Sequence, residues 1–245
     1  MYVLLLISAF LISAFETAQI SPQPAVKIYF PSSDALIVTA DLFFVSDSLP
    51  YMILCHQAGY SRAEYAETAR KFCMLGFNSI AIDQRSGKEV NGVINETAAL
   101  ATLKKKPTAY LDAEKDIVAA IDYAYAKSGK KIVVVGSSYS ASLALKIGAT
   151  NKKVKAVISF SPGEYFGTKL NLKESIKNLT IPVFATSSKE EAAVVTELMK
   201  GVPSKSKQQF IPNSKGKHGS SCLWKENPGY HEYWLALMMF VKQLQ

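Results

Sequence analysis

The chain has 245 residues, 49% hydrophobic and 20% charged, a balance that supports one large domain with a buried core and excludes a disordered or fibrous protein. Its formal net charge is +8 at pH 7, but the lysines are dispersed and the arginines are only Arg62, Arg70 and Arg85, which reads as a solvated basic surface and argues against a nucleic-acid partner. Cys55, Cys73 and Cys222 show neither metal-ligand spacing nor a disulfide framework, and in an oxidising compartment an odd count forbids complete internal pairing.

Residues 1–15 carry no charge, and residues 3–12 are almost continuously apolar. A membrane span needs about 20 such residues, whereas a run of this length fits the apolar region of a secretory signal. The expectation is a signal peptide over residues 1–19, a folded domain over residues 20–245, export to the periplasm or medium, and no stable membrane insertion afterwards. A buried strand or short anchor is the alternative, and without export the protein is cytoplasmic. No Lys or Arg precedes the apolar run, and Glu16 fits the cleavage pattern poorly.

Residues 26–30 and 36–44 are strand-like, separated by the turn-forming Pro31-Ser32-Ser33-Asp34, and read as an antiparallel edge hairpin. A short apolar strand over 51–55 breaks into His56-Gln57-Ala58-Gly59-Tyr60-Ser61. The spacing predicts a helix over 62–75 that ends at Gly76, with Tyr65, Ala69, Phe72 and Cys73 on its apolar stripe. Cys55 and Cys73 therefore read as small buried hydrophobes, while Cys222 falls in a loop. A strand over 77–82 closes in Asp83-Gln84-Arg85-Ser86-Gly87, and residues 88–110 read as irregular. Asp112 opens a helix with Ile117, Ala120, Ile121 and Ala124 on one face, stopping at Gly129.

Residues 132–135 form a wholly apolar, β-branched run, the pattern of a strand buried on both faces, and a helix follows almost at once. Strands over 154–160, 181–186 and 207–211 and helices over 190–200 and 230–244 complete the chain. Strands that alternate with helices predict an α/β fold with a mostly parallel, eight-stranded sheet covered on both faces. The short polar loops then gather at the carboxyl ends of the strands.

Between the central strand and its helix lies Gly136-Ser137-Ser138-Tyr139-Ser140, a Gly-x-Ser-x-Ser variant of the nucleophile elbow with Ser138 at the tip. Such a turn brings backbone close together, so the positions two before and two after the nucleophile must be small, as Gly136 and Ser140 are. The helix N-terminus aimed at the serine oxygen favours an anion developing there. The same residues also fit a structural turn, and Ser140 replaces the commoner glycine.

Taken together, the elbow, the strand order and the loops resemble the α/β-hydrolase family, closest to its small single-domain, dienelactone-hydrolase-like members. The resemblance covers roughly residues 26–245. It rests on His56-Gln57-Ala58-Gly59 after the third strand, Asp83-Gln84-Arg85-Ser86-Gly87 after the fourth, Ser138 after the fifth, and Gly216-Lys217-His218-Gly219 near the end. Dienelactone hydrolases proper carry cysteine where Ser138 stands.

The family's chain order of nucleophile, acid and histidine implies the roles. His56 precedes the elbow and shapes the oxyanion loop, His231 begins the last helix, and His218 lies in a loop from which it can reach Ser138. Glu191 after the seventh strand is the implied acid, with Glu190 and then Glu164 as alternatives; an acidic residue in a first helical turn is also ordinary. Ala58 and Tyr139, flanked by Gln57, are the implied oxyanion donors. Asp83 and Arg85 are expected to brace the loop beneath the site.

No separate cap domain is visible. Residues 84–110 and 161–180 are the segments long enough to cover the site, with Tyr110, Tyr165 and Phe166 as apolar walls. The resemblance implies a serine carboxylesterase (EC 3.1.1 type) acting on small esters, with no cofactor and no metal. A peptidase or amidase on the same triad, and a catalytically silent binding protein on the same fold, are the alternatives.

Overall fold

The structure, a computed structural model, describes residues 24–244. The signal-peptide expectation over residues 1–19 lies outside these residues. The described residues open with β1 (Val26–Pro31) and β2 (Ile37–Phe43), an antiparallel pair in which Phe30 faces Val38. β3 (Tyr51–Cys55) and β4 (Asn78–Ile82) are buried along their whole length. They are followed by β5 (Ile132–Ser137), β6 (Val154–Phe160), β7 (Val183–Thr186) and β8 (Lys207–Phe210).

These strands form one eight-stranded sheet in the order β1-β2-β4-β3-β5-β6-β7-β8. Only β1 and β2 run antiparallel to their neighbours; β4-β3-β5-β6-β7-β8 is parallel throughout. Alternation along the strands divides the core in two. Ile53, Cys55 and Val134 pack with Ile117, Ile121, Leu143 and Val195 on one face. Met52, Leu54, Val133 and Val135 pack with Phe72, Trp234, Leu237 and Phe240 on the other. The first layer is supplied by α3 (Glu114–Ser128), α4 (Tyr139–Thr150) and α6 (Ala192–Lys200), and the second by α1 (Thr68–Met74) and α7 (Tyr230–Lys242). This is the α/β-hydrolase architecture, with helices on both faces.

Three segments depart from the sequence expectations. The helix expected over 62–75 is split into a 3₁₀ turn, Arg62–Tyr65, and the shorter α1. Ser61 caps the turn, and the tighter winding buries Arg62 and Glu64 rather than leaving them on a solvent face. Residues 88–110 are not irregular: they hold a two-residue-strand hairpin pairing Glu89 with Ile94 and α2 (Glu96–Leu103). The signals were present in Asn91-Gly92, where both residues adopt positive φ, and in Asn95, whose side chain accepts from the Ala98 N–H. Periodicity could not reveal α2, because only Thr97 and Ala101 of it are buried. The helix after β7 starts at Ala192, which leaves Glu190 and Glu191 in the preceding loop.

Arg62 and Arg85 hold this region to the sheet. Arg62 pairs with Asp83 at 2.7 Å and with Asp41 and Glu96 at 3.0 Å. Arg85 pairs with Asp116 and Asp34, each at 2.8 Å. As expected, Asp83 and Arg85 brace the loop after β4, and two of the arginines in this basic chain are used inside the fold.

Among the described residues, no helix is long and apolar enough to cross a membrane. Cys55, Cys73 and Cys222 are free and buried.

Candidate active site

The elbow is set by its neighbours. A Cβ on Gly136 would stand 2.4 Å from the Ser140 carbonyl oxygen and 2.6 Å from the Ala141 backbone, so glycine is required where β5 meets α4. Ser138 takes φ 59° and ψ −125°, a conformation that costs a non-glycine residue about 1–3 kcal/mol and is held only where the surroundings impose it. Here the Ser138 N–H donates to the Phe160 carbonyl at 2.8 Å, and the Ser138 carbonyl accepts from Ala141 at 2.9 Å. The side chain is thereby pushed out at the carboxyl end of the sheet over the start of α4.

His218 reaches it from the loop after β8. Its Nε2 lies 2.8 Å from Ser138 Oγ, and its Nδ1 is hydrogen-bonded to Glu191 Oε1. With Nδ1–H donating to the carboxylate, Nε2 is left to accept the serine proton. Gly219, next to the histidine, has φ 68°, and a Cβ there would come within 2.4 Å of Ser137 Oγ; the histidine loop can lie against the elbow only with glycine at that position.

Glu191 is fixed by more than the histidine. Its Oε2 accepts from Ser161 Oγ at 2.8 Å, from Ser188 Oγ at 2.9 Å and from the Ser188 N–H at 3.1 Å. Burial alone would raise its pKa, but the bonds from His218, Ser161 and Ser188 outweigh burial and hold it down to about 2. In turn, the Glu191 bond outweighs burial at His218 and raises the imidazole pKa above its ordinary 6.5. Ser161 also accepts from the Gly219 N–H at 3.0 Å, so it ties the acid to the histidine loop.

The other candidate acids are elsewhere. Glu190 is 74% exposed and faces Lys215 at 3.5 Å. Glu164 accepts from the Leu172 and Lys173 N–H groups at 2.8 and 3.0 Å and so caps the short helix α5 (Leu172–Ser175). His231 lies against Tyr230 with the rings tilted by 35° and their centroids 3.8 Å apart, and it lines a surface groove with Met74 and Trp234.

The loop expected to supply an oxyanion donor follows β3. His56 is fully buried, and burial lowers its pKa to about 4, so the ring is neutral. Its Nδ1–H donates to the Gln57 carbonyl at 2.8 Å, and its Nε2 accepts from the Gln84 N–H at 2.9 Å. Gln57's own N–H donates to Glu64 Oε2 at 2.7 Å, so that donor is committed to the scaffold. Ala58 lies within the Gln57–Tyr60 turn, and Tyr139 directly follows Ser138 at the start of α4.

Sequence reasoning did not single out Glu64, Ser137, Ser161 or Ser220. Glu64 fell on a stretch that reads as helix and carries no motif. Ser161 was legible only as part of a Ser-Pro-Gly turn. Tyr110, Tyr165 and Phe166, the expected walls, do line one small cavity of about 170 Å³ together with Leu111 and Lys169. That cavity adjoins the nucleophile's neighbour, since the Tyr110 ring stacks on Tyr139 at 4.5 Å. A larger cleft of about 590 Å³ opens between Ser86, Gly87 and α2 and includes neither Ser138 nor His218; hydrogen-bond geometry, not cleft size, locates the candidate site.

A nucleophile, a base oriented by an acid and a helix N-terminus together can carry out acyl transfer. Comparison with known proteins agrees on the class. Residues 45–212 match the model of the dienelactone hydrolase family, a stretch that includes Ser138 and Glu191 and stops short of His218. No curated protein sequence matches the chain. Among solved structures, an esterase of Pyrococcus furiosus superposes with a TM-score of 0.71 at 14% identity, over 92% of each chain. A dienelactone hydrolase of Anabaena variabilis superposes with a TM-score of 0.70 at 14% identity, over 91% of this chain and 98% of that one. An α/β hydrolase of a Penicillium species gives a TM-score of 0.70 at 12% identity, over 90% and 99%. At these identities the superpositions establish the fold, and the family match covers well over half of the sequence: the chain is a hydrolase and belongs to the dienelactone hydrolase family.

Proposed function

We propose that this hydrolase cleaves small carboxylic esters through an acyl-enzyme on Ser138, with His218 as the general base and acid and Glu191 as its orienting carboxylate. The observation that carries the reading is the imidazole of His218, bonded on one side to Glu191 and set 2.8 Å from Ser138 Oγ on the other. As Oγ attacks the ester carbonyl, its proton passes to His218 Nε2, and the charge developing on the carbonyl oxygen is met by the backbone N–H groups of Ala58 and Tyr139. The tetrahedral species collapses, and the alcohol leaves with the proton from His218. Water then attacks the acyl-Ser138 carbonyl and gives its proton to the same nitrogen; collapse releases the acid and restores the serine.

Glu191 supports this cycle by keeping Nδ1 protonated and by stabilising the imidazolium between the two proton transfers. The 170 Å³ cavity lined by Tyr110, Tyr165 and Phe166 is matched to a short apolar acyl or alcohol group. The apolar run over residues 3–12 supports export, which N-terminal sequencing of the protein recovered from culture medium or periplasm would read.

The test is mass spectrometry after treatment with a fluorophosphonate. Stoichiometric modification of Ser138 that disappears in His218→Ala is expected, followed by turnover of short-chain chromogenic esters. A folded protein that takes no label overturns the reading.

A further inference from the structure

Behind the candidate triad lies a carboxylate that the mechanism above does not use. Glu64 is 1% exposed. Its Oε1 accepts from Ser137 Oγ at 2.7 Å and from Ser220 Oγ at 2.6 Å, and its Oε2 accepts from the Gln57 N–H at 2.7 Å. The donors come from three different segments: the loop after β3, the last residue of β5 and the 3₁₀ turn that follows His218. Gln57 immediately precedes Ala58, Ser137 immediately precedes Ser138, and Ser220 follows His218 by two residues. Two of these segments are joined again where the Ser220 N–H donates to Ser137 Oγ at 2.9 Å. Glu64 is itself held, because its carbonyl accepts from Trp224 Nε1 at 2.9 Å.

Its burial has a chemical consequence. A carboxylate withdrawn from water raises its own free energy by several kcal/mol unless hydrogen bonds and a positive charge compensate. Desolvation does raise the Glu64 pKa, opposed by Ser220, Gln57, Ser137 and the positive form of His218. The influence runs both ways, since Glu64 stands with Glu191 among the groups that raise the His218 pKa. The other titratable groups that Glu64 faces are Tyr65, Cys55 and Cys222, all kept uncharged by burial. Lys217, Glu67 and Glu226 line the open cleft on its outer side. Across the imidazole stands Glu191, and Tyr165 approaches from the side of Ser138.

We propose that Glu64 is a positioning residue of this hydrolase: one buried carboxylate that sets the oxyanion loop, the elbow and the histidine loop in register and places a second negative charge behind His218. The proposal rests on the reading of Ser138, His218 and Glu191 given above. Loops joined only for stability would be served by a neutral acceptor; a charge in this place is felt by the base.

The experiment compares the rate of Ser138 labelling by a fluorophosphonate, and kcat and KM for a short chromogenic ester, across pH in wild type, Glu64→Gln and Ser220→Ala. In Glu64→Gln the amide cannot accept from all three donors, and the charge is gone. Labelling and kcat are expected to fall by about 10²-fold with KM changed far less. The acid-side midpoint of the pH profile should move down by about half a pH unit or more. Ser220→Ala keeps the charge, so it should slow labelling without moving the midpoint. A folded Glu64→Gln with the wild-type midpoint, whatever its thermal stability, overturns the proposal. Should that variant not fold, ¹³C NMR of the wild-type protein decides: the Glu64 carboxyl resonance must shift through the His218 titration, and a flat response overturns the proposal. Absence of label on the wild-type protein is a different failure, that of the serine-hydrolase reading itself.

Discussion

The Ser140 hydroxyl donates to the His56 carbonyl oxygen at 2.6 Å, which bonds the residue two past the nucleophile to the residue that opens the oxyanion loop. The Ser140 hydroxyl oxygen in turn accepts from Gln84 Nε2 at 2.6 Å. Glycine, the commoner residue here, would fit the turn but remove the donor to the His56 carbonyl and leave Gln84 Nε2 with its bond to Tyr139 Oη alone. Ser140→Ala should therefore lower stability by about 1–3 kcal/mol, the cost of stranding buried polar groups. In a chain of this size that is a loss of roughly 2–4 °C in Tm for each kcal/mol. It should also reduce kcat, as the oxyanion loop loses its tie to the elbow. Thermal denaturation with ester turnover checks both; an unchanged Tm would mean that water replaces the bond at no cost.

The positive φ of Ser138 makes a prediction about stability that is independent of activity. Ser138→Ala should abolish turnover with Tm close to wild type. Ser138→Gly should be equally inactive but more stable than the alanine variant by about 1 kcal/mol, because glycine adopts this conformation without steric cost. Calorimetry of the two variants decides it. A glycine variant less stable than the alanine one would show that the elbow is unstrained.

The Glu191–His218 pair predicts a pH dependence. In the proposed mechanism turnover needs neutral His218, so kcat/KM should fall on the acid side with a midpoint above the ordinary histidine value of 6.5, since the folded pKa is raised. Glu191→Gln should move that midpoint down and lower kcat by about 10²–10⁴-fold. Glu190→Gln should change neither, because its partner Lys215 is as exposed as it is. Stability follows with opposite signs. The raised His218 contribution is complete below pH 6.5 and is lost as pH rises through the folded pKa. The depressed Glu191 contribution is present above its ordinary 4.5 and is lost as pH falls toward about 2. The pair is therefore worth most between those two ordinary values, and Tm across pH in wild type and Glu191→Gln reads the difference.

Arg85 is the residue whose loss should cost most. Its guanidinium and the Asp116 carboxylate are both fully buried and lie 2.8 Å apart. Arg85→Ala strands a charge inside the protein, for which about 3–5 kcal/mol is the expected cost. Arg85→Ala together with Asp116→Ala should recover part of that loss. Denaturant titration of the single and double variants tests the coupling, and simple additivity would refute it.

The parts of this molecule that were legible in the sequence are those fixed by local pattern. Residues 132–140 announce a doubly buried strand and a tight turn, and the parallel core follows from such runs. The placement of His218 near Ser138 was implied by family order. What was not legible depends on contacts between segments far apart in the chain. Glu64 meets Ser220 across 156 residues, and nothing local to either predicts the other. Ser161 reads as a turn residue until β6 and β7 bring it to Glu191. α2 escaped because a helix with so few buried positions leaves no periodic trace, although its cap residue Asn95 was in plain view.

The buried thiols of Cys55, Cys73 and Cys222 give the fold a further property. Burial pushes all three pKa values up, so the native protein holds no reactive thiolate, and its integrity is indifferent to whether the surroundings oxidise or reduce. The same residues become an internal clock. A thiol reagent added to the folded protein can react only as fast as the molecule opens, so the appearance of modified cysteine reports the rate of unfolding while leaving the serine free to be assayed.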